Sequence, residues 1–101
     1  MVMNDAIVVR YRTKPDAAAE NQRLIEAVFA ELAATRPAEL HYTAYRLEDG
    51  VTFVHAASGA GRAALGAVTA FQEFQRDIAA RVEVGPDAVP ATVVGSYLPS
   101  I

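Results

Sequence analysis

Apolar and polar positions alternate along residues 6–12, Ala-Ile-Val-Val-Arg-Tyr-Arg, and β-branched side chains dominate the stretch. The period of two predicts a first strand over 6–12, with Ile7, Val9 and Tyr11 on one face and Ala6, Val8, Arg10 and Arg12 on the other. The period then changes. Leu24, Ile25, Val28, Phe29 and Leu32 recur at the spacing of one helical stripe. Pro15 suits the first helical position, and Asp16 and Glu20 suit the positive helix end. Pro37 disfavours helical geometry at Arg36, so the helix is expected over 15–35. Alternation returns over 39–47 and 51–57. Glu48-Asp49-Gly50 between them carries an Asp-Gly hairpin signal. Three glycines make 58–66 read as a loop. Ala67, Val68, Phe71, Phe74, Ile78 and Val82 form a second stripe, giving a helix over 67–82. Gly85-Pro86 and Pro90 read as chain breakers. The last strand is expected over 91–97, with 98–101 as a tail.

The order β-α-β-β-α-β is the split β-α-β pattern. It predicts an α+β, ferredoxin-like fold, a four-stranded antiparallel sheet with two helices on one face. If the other face were solvated it should read polar. Both faces are apolar instead, with Val8 and Ala6 opposite Ile7 and Val9, Val54 and Ala56 opposite Val51 and Phe53, and Val93 beside Val94. A second copy related by a two-fold axis is the simplest cover, closing the two sheets into an α/β barrel.

Composition sharpens this picture. The 101 residues, 52% hydrophobic and 21% charged, fit one domain over 1–101. Alanine fills 21 positions and Leu, Ile, Val and Phe together 26, a thin core for a small chain, which again favours a homodimer. There is no cysteine, so disulfides and thiolate metal sites are excluded. Net charge is −3 and the eight Arg and one Lys are scattered, which speaks against nucleic acid and anionic membranes as partners. No apolar run approaches the ~18 residues of a membrane span. The first residues lack the basic and apolar regions of a signal peptide, so the expected location is cytoplasmic.

Candidate chemistry is sparse. Asn21 falls almost on the centre of the first helical stripe, so its amide should face the sheet. It either lies half exposed near the helix start, bonds a strand residue structurally, or serves as a pocket donor. His55 and Tyr11 sit on strands, as do His41, Tyr42 and Tyr45. Histidine is the usual general acid or base near neutral pH, and tyrosine can donate to a developing enolate. Asn21, His55 and Tyr11 are the candidate catalytic groups. Phe53, Phe71, Phe74 and Val28 are candidates for an apolar substrate pocket, and fit equally as core. Two strand histidines without cysteine or well-spaced carboxylates make no metal site, so no metal is expected. The glycines of 59–66 lack a Gly-Lys-Ser/Thr ending and form no phosphate loop, though a pocket flap is conceivable there.

Five stretches resemble the dimeric α/β-barrel superfamily, and most closely its antibiotic-biosynthesis-monooxygenase-like branch. They are Ile-Val-Val-Arg-Tyr-Arg-Thr-Lys-Pro at 7–15, Glu-Asn-Gln-Arg-Leu-Ile-Glu at 20–26, Leu-Glu-Asp-Gly-Val-Thr-Phe-Val-His at 47–55, Ala-Phe-Gln-Glu-Phe-Gln at 70–75 and Val-Val-Gly-Ser-Tyr at 93–97. The resemblance implies a homodimer with a cleft between helices and sheet, where a polar side chain orients a carbonyl or an oxyanion. It implies monooxygenase-like oxidoreductase or isomerase chemistry without a cofactor, on a small apolar or aromatic substrate. Haem-degrading members use an Asn, a Trp and a His on the second helix. This chain has no tryptophan and no His over 67–82, so haem degradation is not expected. A ligand-binding or stress-associated dimer without catalysis and a purely structural dimer are the alternatives.

Overall fold

The computed structural model describes residues 6–97. Four strands form one antiparallel sheet in the order β2-β3-β1-β4. They are β1 (Ala6–Thr13), β2 (His41–Arg46), β3 (Thr52–Ser58) and β4 (Val82–Ala91). Helix α1 (Ala18–Thr35) joins β1 to β2. Helices α2 (Thr69–Arg76) and α3 (Ile78–Arg81) lead into β4. This is the expected ferredoxin-like arrangement, with the second helix broken in two at Asp77.

Local chemistry accounts for most boundaries. Pro15 opens a single 3-10 turn that leads into α1. At the other end Arg36 takes a left-handed conformation and its N–H donates to the Leu32 carbonyl at 2.7 Å, closing the last turn before Pro37. The β2–β3 hairpin turns on Asp49. Its carboxylate accepts from the Val51 and Thr52 amides at 2.9 and 2.8 Å, and Gly50 supplies the positive φ. The Thr52 hydroxyl also donates to this carboxylate, and that bond first, with the two amide bonds after it, holds the Asp49 carboxyl down at about 2.

The stretch 58–66 is not an open loop. Residues Ala60–Ala67 wind into 3-10 geometry and dock on the α1–β2 connection, with the Gly61 amide donating to the Glu39 carbonyl at 2.9 Å. A Cβ at Gly59 or Gly61 would lie 2.1 or 2.0 Å from the Glu39 or Ala38 carbonyl oxygen. Two of the glycines therefore permit close backbone approach. The Glu31 carboxylate accepts from the Thr69 and Ala70 amides and so caps α2 from α1.

The last strand corrects the sequence reading. It runs over Val82–Ala91, not 91–97, pairing Ala6 with Ala91 and Val8 with Val89. Gly85-Pro86 and Pro90 lie inside it. A proline breaks a ladder only where its nitrogen faces a neighbour, and β4 is an edge strand with one open side. The register also shifts between Arg10 and Thr13, absorbing the irregularity. Residues 92–97 continue without regular structure, and Val94 and Tyr97 are exposed. The tail 98–101 lies outside the described residues.

The helices cover one face of the sheet. Tyr11, Phe53, Ala18, Ile25, Val28 and Phe74 form the core between the two layers. On the other face Tyr45, Val84 and Val89 are exposed, and Val8 and Val54 are half-buried.

Candidate functional site

Register brings the polar residues together. In the central ladder Tyr11 lies opposite Phe53, and Val9 opposite His55. His55 in turn lies opposite Ala44, two residues from Tyr42. Tyr11, Tyr42 and His55 thus share the face beneath the helices. Asn21, in the second turn of α1, points down at them and has no exposed surface. Arg81, the last residue of α3, enters from the side and is buried beneath the Phe74 ring, 5.1 Å from its centroid.

These five residues form a continuous chain of hydrogen bonds. Arg81 Nε donates to Asn21 Oδ1 at 2.9 Å. Asn21 Nδ2 donates to Tyr11 Oη at 2.8 Å. Tyr11 Oη lies 2.8 Å from His55 Nε2, and Tyr42 Oη lies 2.7 Å from His55 Nδ1. A second Arg81 nitrogen donates to the Phe74 carbonyl at 2.6 Å. Among the described residues Arg81 makes no ion pair, and Glu20 and Asp77 act on it only at longer range.

Burial sets the charge states. It pushes the His55 imidazole down to about 4, so the ring is neutral near pH 7. It pushes the Tyr11 hydroxyl up to about 12, against the opposing effects of the Asn21 bond and the Arg81 charge. Tyr42 is raised still further, by burial first and by Tyr11 second. Arg81 remains protonated although burial lowers it. The chain is therefore four neutral groups ending on one cation.

Tyr11, Tyr42 and His55 also line a cavity of about 290 Å³. Its remaining walls are Ile7, Val9, Ala57, Leu65, Phe71, Phe74, Gln75, Ile78 and Pro86. That is a mostly apolar space with Tyr11, Tyr42 and His55 on its sheet side and Gln75 on its helix side, as in small-molecule sites. Phe71 and Phe74 stack at 6.2 Å beside it. Phe53 and Val28 do not line it. Val28 is core, and Phe53 stacks on Tyr11 at 5.6 Å from behind and borders a separate cleft beside α1. His41 lies exposed on the opposite sheet face, and Arg10 and Arg12 are exposed. Among the described residues no group of three His, Cys, Asp or Glu side chains is placed to hold a metal.

Two members of the chain escape the sequence reading as site residues. Tyr42 is separable from His41 and Tyr45 by alternation, but its face is not fixed until the pairing register is known. Arg81 follows Phe74 by seven residues and Ile78 by three, the helical spacing of the core stripe. An arginine on that stripe is the signal that could have found it.

No family model matches the chain, and no curated protein is similar to it. Solved structures are. A protein of unknown function from Nitrosomonas europaea, NE2512, is 18% identical over 94% of this chain and 93% of its own, with a TM-score of 0.74. SnoaB, a cofactor-independent oxygenase from Streptomyces nogalater, is 18% identical over 95% of this chain and 99% of its own, with a TM-score of 0.58. An antibiotic biosynthesis monooxygenase is 17% identical over 93% and 98%, with a TM-score of 0.63. At these identities the likeness is one of fold, and it places the chain with the ferredoxin-like architecture of such monooxygenases. No helix among the described residues is long and apolar enough to cross a membrane.

Proposed function

We propose that this protein is a homodimeric, single-domain enzyme of the cofactor-independent monooxygenase or isomerase type. Its substrate is a small, flat, mostly apolar compound bearing a ketone or phenol oxygen, held between α2 and the sheet. The observation that carries the reading is the hydrogen-bonded chain ending on the wall of a mostly apolar cavity.

The chemistry follows from the charge states. A tyrosine hydroxyl on the substrate oxygen polarises it, and the Arg81 charge behind the chain favours negative charge at that oxygen. His55, with a pKa of about 4 and both ring nitrogens hydrogen-bonded to tyrosines, is a weak base with no nitrogen free to face the substrate, so the substrate must itself carry an acidic C–H or O–H that gives its proton to water in the cavity. The resulting enolate either takes its proton back at another carbon, which is isomerisation, or adds molecular oxygen at carbon. In the second case a CH2 and O2 become a C=O and water through a hydroperoxide. The substrate is then its own reductant, and no cofactor is required. Likeness of fold to SnoaB agrees with the oxygenation branch.

The homodimer rests on the other sheet face. Val84 and Val89 are each 53% exposed in the single chain and Tyr45 is 56% exposed, beside Val8 and Val54. A second copy laid on this face would remove them from water.

The test is a thermal-shift screen with aromatic ketones and anthrone-like compounds, followed by oxygen consumption with each hit. Turnover that falls tenfold or more in Tyr11→Phe or in the isosteric Asn21→Asp, assayed at a temperature where each variant is folded, supports the enzyme. Hits that bind with no oxygen uptake and no isomerisation favour the ligand-binding dimer instead.

A further inference from the structure

The chain of hydrogen bonds has a direction, and it is set at the end farthest from the cavity. A guanidinium only donates, so the atom facing Arg81 must be the Asn21 carbonyl oxygen. The Asn21 amino group is thereby turned toward Tyr11, whose oxygen accepts from it. A neutral imidazole carries one N–H, and both its nitrogens are engaged. Two arrangements satisfy these contacts. In the first, Tyr11 donates to His55 Nε2, His55 Nδ1–H donates to Tyr42, and the Tyr42 hydrogen is left over. In the second, Tyr42 donates to Nδ1, Nε2–H donates to Tyr11, and the Tyr11 hydrogen is left over.

Burial decides between them. Tyr11 is 2% exposed, stacked on Phe53 and beside Phe74, and no described acceptor remains for a hydrogen that His55 does not take. Leaving it there forfeits the full desolvation of a hydroxyl. Tyr42 borders the same cavity as Tyr11 but is only half-buried, so of the two hydroxyl-bearing rings it is the one that keeps accessible surface where water or a ligand can accept.

We propose that Arg81, through Asn21, is a positioning residue that locks His55 as the Nδ1–H tautomer and leaves the Tyr42 hydroxyl, rather than that of Tyr11, as the donor that the hydrogen-bonded chain offers to the cavity. The site then selects ligands with an acceptor oxygen, a ketone or an oxyanion, over their hydrocarbon counterparts. The ligand half rests on the cavity being the binding site proposed above. The tautomer half does not.

The tautomer is read directly in the unliganded 15N-labelled protein at pH 7.5, by long-range proton–nitrogen correlation of the two histidine rings, with His41→Gln assigning the signals. His55 should show a pyrrole-type Nδ1 and a pyridine-type Nε2. The reverse pattern overturns the proposal. Asn21→Asp is isosteric, and its carboxylate accepts from both Arg81 and Tyr11, so Tyr11 no longer donates to His55. The expected result is a switch to Nε2–H. Arg81→Met, which releases the amide, should mix the tautomers, and Arg81→Lys, which still donates, should restore one. A tautomer unmoved in both Asn21→Asp and Arg81→Met overturns the role of Arg81. Where a variant does not fold, the wild-type spectrum and the remaining variant decide. For the ligand half, α-tetralone should bind several-fold more tightly than tetralin, and Tyr42→Phe should abolish the difference. Equal affinities overturn the acceptor preference. Binding of neither overturns it together with the proposed function, while the tautomer still decides the role of Arg81.

Discussion

A histidine held neutral inside a fold is a debt that comes due in acid. Burial lowers His55 from 6.5 to about 4. The unfolded chain therefore binds a proton that the folded chain refuses between those values, and stability falls as pH drops from about 6.5 toward 4. At about 1.4 kcal/mol per pH unit the loss reaches roughly 3 kcal/mol. Urea titrations at pH 7 and pH 4.5 should show it, and His55→Phe should flatten the slope over that window. Loss of the Asp49 carboxylate interactions lies lower, between 3.8 and about 2, and does not obscure it. The sequence made this site partly legible. Helical phase alone put Asn21 toward the sheet, and alternation put Tyr11 on the face of Ile7 and Val9. The bond between Tyr11 and His55 spans 44 positions and depends on strand register, which no local pattern contains. Arg81 was hidden because a charged side chain at the end of a helix ordinarily reaches water.

Elements whose boundaries are written in short-range chemistry were readable. Pro15, Arg36-Pro37 and Asp49-Gly50 mark starts and stops that any context would respect. The last strand was not, because its tolerance of Pro86 and Pro90 comes from being at the edge, a fact about neighbours. The glycine-rich stretch shows the same division. Gly59 and Gly61 face carbonyl oxygens, whereas nothing lies within 4 Å of a Cβ at Gly66. Gly61→Ala should therefore destabilise by about 1–3 kcal/mol, since backbone must shift to admit the methyl group. Gly66→Ala should change stability by no more than about 0.5–1 kcal/mol, in the stabilising direction. Thermal melts of the two variants check this, and equal effects would mean that the segment does not dock on the α1–β2 connection as described.

At the scale of the molecule the order of elements was sufficient for the fold, because one sheet with helices on a single face is what β-α-β-β-α-β closes into. Assembly is where measurement is needed. A pairing through the open face should bury on the order of 2,000 Å², and the melting temperature should rise with protein concentration. Val54→Arg, at the centre of that face, should yield monomers and remove the concentration dependence. Wild-type protein scattering as a 10.8 kDa species at micromolar concentration would end the dimer proposal. The prolines of β4 bear on how such association stays finite. An incoming strand that tried to extend the sheet at this edge would find no donor at Pro86 or Pro90, so growth by strand addition stalls there. Copies that paired face to face as proposed would then stop at two, where an unbroken edge would have left a template for fibres. Pro90→Val should make the protein more prone to fibril formation on prolonged incubation, with little change in its fold, a difference that thioflavin fluorescence would follow.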